Sequence, residues 1–321
     1  MDWYLPIVEQ WPVRSTAEFE AYLSDSPLGI LLAKVLGATD ERSYLWLALI
    51  VSLVSLVAAA FWVSLHISAA DKWRGARLAL LAPFGAVLLT WIGSYDAFTV
   101  AVWILVLFAW SQGNRYLLVL SGVLLGFQHF EHAVLGTLVL FLIWLAVKDD
   151  LPAELATKNP AWVLAGIFIG RLFLELTFRV SGQYGNGRTE WLFTFLVEWN
   201  KVSVNIAPQL LWSLFAGFWV VIVLLILTNI RKENLIYFAL AFSVGLLALA
   251  LSGDRPRVFI LVFFPATLIL TIALLRNSNI SLREKRLVEV IVWLAPPLIF
   301  WGKNVANTNV IDLGTVLIQK L

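Results

Sequence analysis

The chain has 321 residues, of which 60% are hydrophobic and 14% charged, with 16 Trp and a mean hydropathy of +0.85. That composition excludes a soluble globular or disordered chain and leaves the polytopic membrane class. A net charge of +2 without a basic patch argues against nucleic acid as a partner, and zero cysteines exclude disulfides, thiolate nucleophiles and Cys-ligated metals.

Residues 1–43 hold no basic stretch followed by an apolar core, so no signal peptide is expected there. They read as outer interfacial helices. Ser15 with Glu18 forms a capping-box pattern ahead of Phe19, Tyr22 and Leu23. Ser26-Pro27 starts a second helix, in which Leu28, Leu31, Leu32, Val35 and Leu36 keep helical spacing until Gly37.

From Tyr44 the chain becomes a succession of apolar runs near the ~20 residues that cross a bilayer core. Spans are predicted at Tyr44 to Ile67, Ala76 to Gly93, Phe98 to Gln112, Tyr116 to His132 and Ala133 to Val147. Further spans are predicted at Ala161 to Phe178, Leu210 to Ile230, Leu235 to Leu251, Val258 to Leu275 and Leu287 to Trp301. The expected fold is all-α: a polytopic integral membrane protein of about ten transmembrane helices over residues 44–302. The third and fifth runs are short, and one of them could be re-entrant if protein or a water-filled cavity shields its backbone.

The links after spans one, three, five, seven and nine carry Lys72, Arg74, Arg77, Arg115, Lys148, Lys158, Arg231, Lys232, Arg276, Arg283, Lys285 and Arg286, whereas the opposite short turns carry Arg255 and Arg257. The positive-inside rule makes the first set cytoplasmic. The N-terminus, an outer loop 179–209 and an outer tail 303–321 then face outward. The expected location is a bacterial inner (plasma) membrane with the N-terminus outside. In the outer loop, Trp191, Phe193, Phe195 and Trp199 after Tyr184-Gly185-Asn186-Gly187 suggest a segment resting on the membrane surface.

The ionisable residues near or inside the spans are predicted to share one side. At about 100° per residue, Gln128, His129, Glu131 and His132 project within an arc of roughly 160° and can converge on a cavity. Structural hydrogen bonding, substrate or phosphate contact, and a divalent metal all remain open for His129, Glu131 and His132. Asp96, ahead of Ala97 and Phe98, reads either as an N-cap or as a carboxylate that receives a proton or holds a metal. Arg171, Glu175 and Arg179 stack on one helix face, either as a self-neutralising pair with Arg179 reaching outward or as an anion path. Asp254, Arg255 and Arg257 surround Pro256 in a tight turn and read as a ligand-binding group. His66 lies near the inner end of the first span, away from the others, and is expected to be structural.

The outer interfacial helices, an outer acidic residue, the outer arginines and the segment Asp25-Ser26-Pro27-Leu28-Gly29 to Gly37 together resemble the GT-C superfamily of polyprenyl-phosphate-sugar glycosyltransferases and related polysaccharide membrane proteins. The likeness is one of layout, and the family's first span has no counterpart before Met1-Asp2-Trp3-Tyr4. It implies an outer-loop carboxylate as base (Asp25, Asp2 or Asp40, beside Asp96), with Arg255, Arg257 and Arg171 on the lipid phosphate and His129 or His132 assisting. The implied reaction inverts the sugar during transfer from a polyprenyl-phosphate lipid to a glycan acceptor. No cofactor is required by the sequence, and a divalent metal is compatible with the histidine cluster. Two other functions fit the same residues: an ion or small-solute transporter or channel, in which Arg171 and Glu175 form a route through the membrane, and a non-catalytic membrane assembly subunit.

Overall fold

A computed structural model describes residues 4–13, 24–183, 207–229, 232–250, 255–295, 298–301 and 304–307. The architecture is helical throughout, apart from one short antiparallel hairpin, β1 (Leu298–Trp301) with β2 (Asn304–Asn307). The first helices are α1 (Tyr4–Gln10), α2 (Pro27–Leu36), α3 (Glu41–Leu65), α4 (Lys72–Leu81), α5 (Pro83–Thr90), α6 (Asp96–Gln112) and α7 (Arg115–Val147). They are followed by α8 (Ala153–Ala156), α9 (Trp162–Val180), α10 (Ala207–Phe215), α11 (Trp219–Asn229), α12 (Lys232–Ala250), α13 (Arg255–Arg276) and α14 (Leu282–Leu294).

Among the described residues, four helical stretches are long and apolar enough to cross a membrane: Glu41–Leu65, Arg115–Asp150, Pro208–Thr228 and Pro256–Arg276. The last is α13, and the other helices surround it: every residue from Val258 to Leu275 is buried. A helix apolar on all sides has no solvent face to offer, so the bundle centre is where it goes. By contrast α3 buries Tyr44, Ala48, Leu56 and Trp62 and leaves Ile50, Val54, Val57 and Phe61 on the outside, an apolar exterior suited to lipid.

The helix α7 is two antiparallel arms. His129 is non-helical inside it (φ −160°, ψ 83°). Before that residue, Gln128 meets Thr99 near the start of α6; after it, Gly136 lies against Trp103 in the middle of α6. Further along, Trp144 donates to the Leu155 carbonyl (3.0 Å), next to Glu154, which meets His66 beside Ser111 at the far end of α6. The chain thus climbs along α6, reverses at His129 and descends.

The first arm is locked to α9 by glycines. Gly122 and Gly126 face Gly166 and Gly170 with the helices running the same way, and a Cβ on Gly126 would lie 2.6 Å from Ile167 Cα, nearer still to its carbonyl oxygen. Close backbone approach of this kind is how helices associate where lipid supplies no hydrophobic drive.

Several predicted elements change form. The run Ala76 to Gly93 is broken at Ala82 into α4 and α5, because Pro83 has no amide to continue the ladder. The run Leu210 to Ile230 is interrupted by a 3-10 turn at Ala216–Phe218. The predicted last span, Leu287 to Trp301, is instead the end of amphipathic α14 followed by β1; Arg283, Glu284, Lys285, Arg286 and Glu289 make α14 too polar to be a uniform apolar span. The helix from Pro27 forms as expected, yet Ser26 makes no side-chain cap bond, and Gly29, Ile30 and Ala33 are buried against the bundle. The Ser15–Glu18 segment, the aromatic loop after Tyr184 and residues 308–321 lie outside the described residues.

Candidate functional site

The end of the bundle formed by α2, the start of α6, the apex of α7, the C-terminal half of α9 and the start of α13 gathers most of the charged residues the sequence singled out. The reversal at His129 carries this, because it lifts a polar tetrad to the tip of an otherwise apolar hairpin. Gln128 ties the parts together. Its Oε1 accepts from the Leu28 amide (2.9 Å), holding α2 down, and its Nε2 donates to the Tyr95 carbonyl (3.2 Å) at the start of α6.

Two carboxylate–guanidinium pairs flank this knot. Asp96, 1% exposed, faces Arg257 (Oδ2 to Nη1, 3.2 Å) and accepts from the Ser94 hydroxyl (2.8 Å). It therefore does not act as an N-cap: α6 starts without a side-chain cap, and the carboxylate is turned toward α13 instead. The Arg257 guanidinium also donates to the Tyr95 hydroxyl (3.4 Å) and lies 4.5 Å from the Trp91 ring centre, a cation–π contact. On the other side Asp25, in the turn leading into α2, has no exposed side-chain surface and faces Arg171 (3.6 Å). Arg171 pairs more closely with Glu175 (2.6 Å), one of the two arrangements their spacing left open, and lies 5.7 Å from the Phe130 ring.

Between the pairs stand the histidines. His129 and His132 are stacked, ring centres 3.7 Å apart and planes 10° from parallel, with Tyr95 at 5.1 Å from His129 and Glu131 Oε2 at 3.5 Å from its Nδ1. Ring nitrogens bind metals and protons in the ring plane, so stacked rings aim their lone pairs along parallel planes rather than at a common point. Among the described residues no three His, Asp or Glu side chains group as a metal-ligand set.

Asp40 caps α3, accepting from the amides of Arg42 and Ser43 (both 3.1 Å) and from the Ser43 hydroxyl. That hydroxyl bond, then the amide bond, holds its pKa below the usual carboxylate value, which weakens it as a base. Asp2 and Asp254 lie outside the described residues, and Arg255 begins α13. His66 is at the opposite end, bonded to Glu154 (3.3 Å) and to Ser111 (3.0 Å). Sequence reasoning passed over Trp91, Ser94 and Tyr95, which shape the Asp96–Arg257 pair; the only trace of them in the sequence is the four-residue spacing of two aromatics just before Asp96.

No family model, curated protein or solved structure matches the chain.

Proposed function

We propose that the chain is an integral membrane glycosyltransferase that takes a sugar from a polyprenyl-phosphate donor at the end of the bundle holding Asp25 and Asp96. In this reading that end faces the extracytoplasmic side of a bacterial inner membrane with the N-terminus outside, and the chain crosses about nine times, α14 and β1 standing where a tenth span was expected. The broken α4–α5 pair then counts as one crossing and the two arms of α7 as two.

The observation that carries the reading is the pairing of each buried carboxylate with an arginine at one site: Asp25 with Arg171 and Asp96 with Arg257. Guanidinium binds phosphate in the same two-point manner as carboxylate. An arriving lipid phosphate therefore competes with Asp25 for Arg171 and releases the carboxylate where an acceptor hydroxyl can reach it. Asp25, held at 3.6 Å, is the looser of the two pairs and the proposed base. It takes the hydroxyl proton; the acceptor oxygen bonds to the sugar C1 as the C1–O bond to phosphate breaks, inverting that carbon. The negative charge left on the phosphate is held by Arg171 and Arg257.

The test is transfer from a radiolabelled polyprenyl-phosphate sugar by the purified, reconstituted chain. Asp25→Asn should reduce turnover about 100-fold or more, in the range expected for loss of a general base, while the protein stays folded. Unchanged turnover in Asp25→Asn would sink the assignment of the base. A second reading is favoured by the half-buried Arg171–Glu175 pair, which offers an ion route along α9. Substrate-independent ion flux in proteoliposomes, lost in Arg171→Ala, would replace the transferase reading.

A further inference from the structure

At the opposite end of the bundle, an open cleft of ≈ 600 Å³ lies between the α6–α7 turn and the start of α9. Two cations line it, Arg115 and Lys158, with Gln112, Asn114 and Asn159 and the aromatics Tyr116 and Trp162, and no carboxylate is among its lining residues. We propose that this cleft binds the phosphate headgroup of an anionic membrane phospholipid.

The amide chemistry points to an anion. Asn114 Oδ1 accepts from the amides of Tyr116 (3.0 Å) and Leu117 (3.2 Å), and Asn159 Oδ1 accepts from Ala161 (2.8 Å). With their carbonyl oxygens committed, these side chains have NH₂ donors left to offer a ligand. Donors and cations with no carboxylate among the lining residues suit a phosphodiester and its neighbouring hydroxyls.

The frame of the cleft is also held in place. Trp110 donates to the Lys158 carbonyl (2.9 Å). The Lys158 stem crosses Gly113, where a Cβ would sit 2.8 Å from its Cδ, and Gly113 has φ +67°. A side chain at residue 113 would both strain the turn and push the ammonium away. The Lys158 ammonium donates to the Ser111 carbonyl and keeps further N–H groups for a ligand.

A lipid is favoured over free phosphate because the cleft meets the apolar exterior. Tyr116 is 72% and Trp162 53% exposed at its rim, as interface aromatics are. Leu120, one turn along α7 from Tyr116, and Ile169 and Phe173, on the same face of α9 as Trp162, continue an exposed apolar surface away from it, where acyl chains can lie. Basic pockets between membrane helices recognise anionic headgroups in this way.

Native mass spectrometry of the full chain released from nanodiscs tests the proposal. With equal dioleoylphosphatidylglycerol and dioleoylphosphatidylcholine, one phosphatidylglycerol should be retained preferentially. Arg115→Gln or Lys158→Gln should each weaken that retention about fivefold, with melting in pure phosphatidylcholine as the folding control. Retention by the unmodified chain should also fall as ionic strength rises, a measurement that does not depend on the variants folding. Equal retention of the two lipids, retention indifferent to salt, or full retention by the double variant would overturn the proposal. Displacement of the lipid by an equal concentration of inorganic phosphate would overturn the assignment to a lipid.

Discussion

Gly126→Ala tests whether the packing of α7 on α9 sets the geometry of the candidate site. Alanine is the better helix former by about 1 kcal/mol, so on propensity alone the substitution should stabilise the protein. The structure reverses that sign. The new Cβ would stand 2.6 Å from Ile167 Cα, against the 3.4 Å at which ordinary contact begins, and the obstacle is backbone that cannot rotate away. Because the Ile167 carbonyl oxygen stands nearer still, the helices must part by more than about 0.8 Å, an overpacking cost near the upper end of about 1–3 kcal/mol. The net loss is then about 2 kcal/mol, or a fall of about 3 °C in melting temperature at this chain length. The shift also reaches the site. Asp25 is tied to α7 through α2 and Gln128, whereas Arg171 rides on α9, so their 3.6 Å separation lengthens beyond ion-pair range. Thermal melting followed by tryptophan fluorescence in detergent measures this, with Leu172→Ala as the control on the exposed side of α9. Melting of Gly126→Ala at or above the unmodified chain would refute the close-approach argument.

Arg257→Ala leaves the Asp96 carboxylate buried without its guanidinium, and unfolding free energy should fall by about 3–5 kcal/mol. Asp96→Asn with Arg257→Gln should recover most of that loss, and chemical denaturation showing equal loss in both variants would contradict a desolvated pair. His66 has its pKa pushed below 6.5 chiefly by burial, which outweighs the opposing pull of Glu154. The unfolded chain therefore takes up a proton near pH 6.5 while the folded chain resists it, so stability falls as pH drops through that value and levels off below the folded pKa. In melting curves His66→Gln should remove that part of the slope; an unmodified chain that gains stability relative to the variant on acidification would oppose it.

The membrane class and most helix limits were legible in the sequence because they are local. A long apolar run specifies its own length, and Ser26-Pro27 with Gly37 marks α2 without reference to anything distant. The histidine tetrad was legible as a cluster for the same reason. What the sequence could not supply was which faces meet. Two apolar runs separated at His132 predict two spans, and only the structure places the reversal at His129, three residues earlier, where the backbone leaves the helical range. Asp96 followed by a helix reads equally as a cap, and only the approach of α13 brings Arg257 to it.

The sequence by itself determined that this chain is apolar enough for a membrane and where its charges fall along it, since hydropathy and helix signals act over a few turns. Tertiary structure decided the partners: Asp25 with Arg171, Asp96 with Arg257, glycine against backbone between α7 and α9. Both ion pairs join residues far apart along the chain, and Arg257 and Tyr95, in contact beside one of them, are 162 positions apart; contacts at that range exist only once helices have chosen their neighbours.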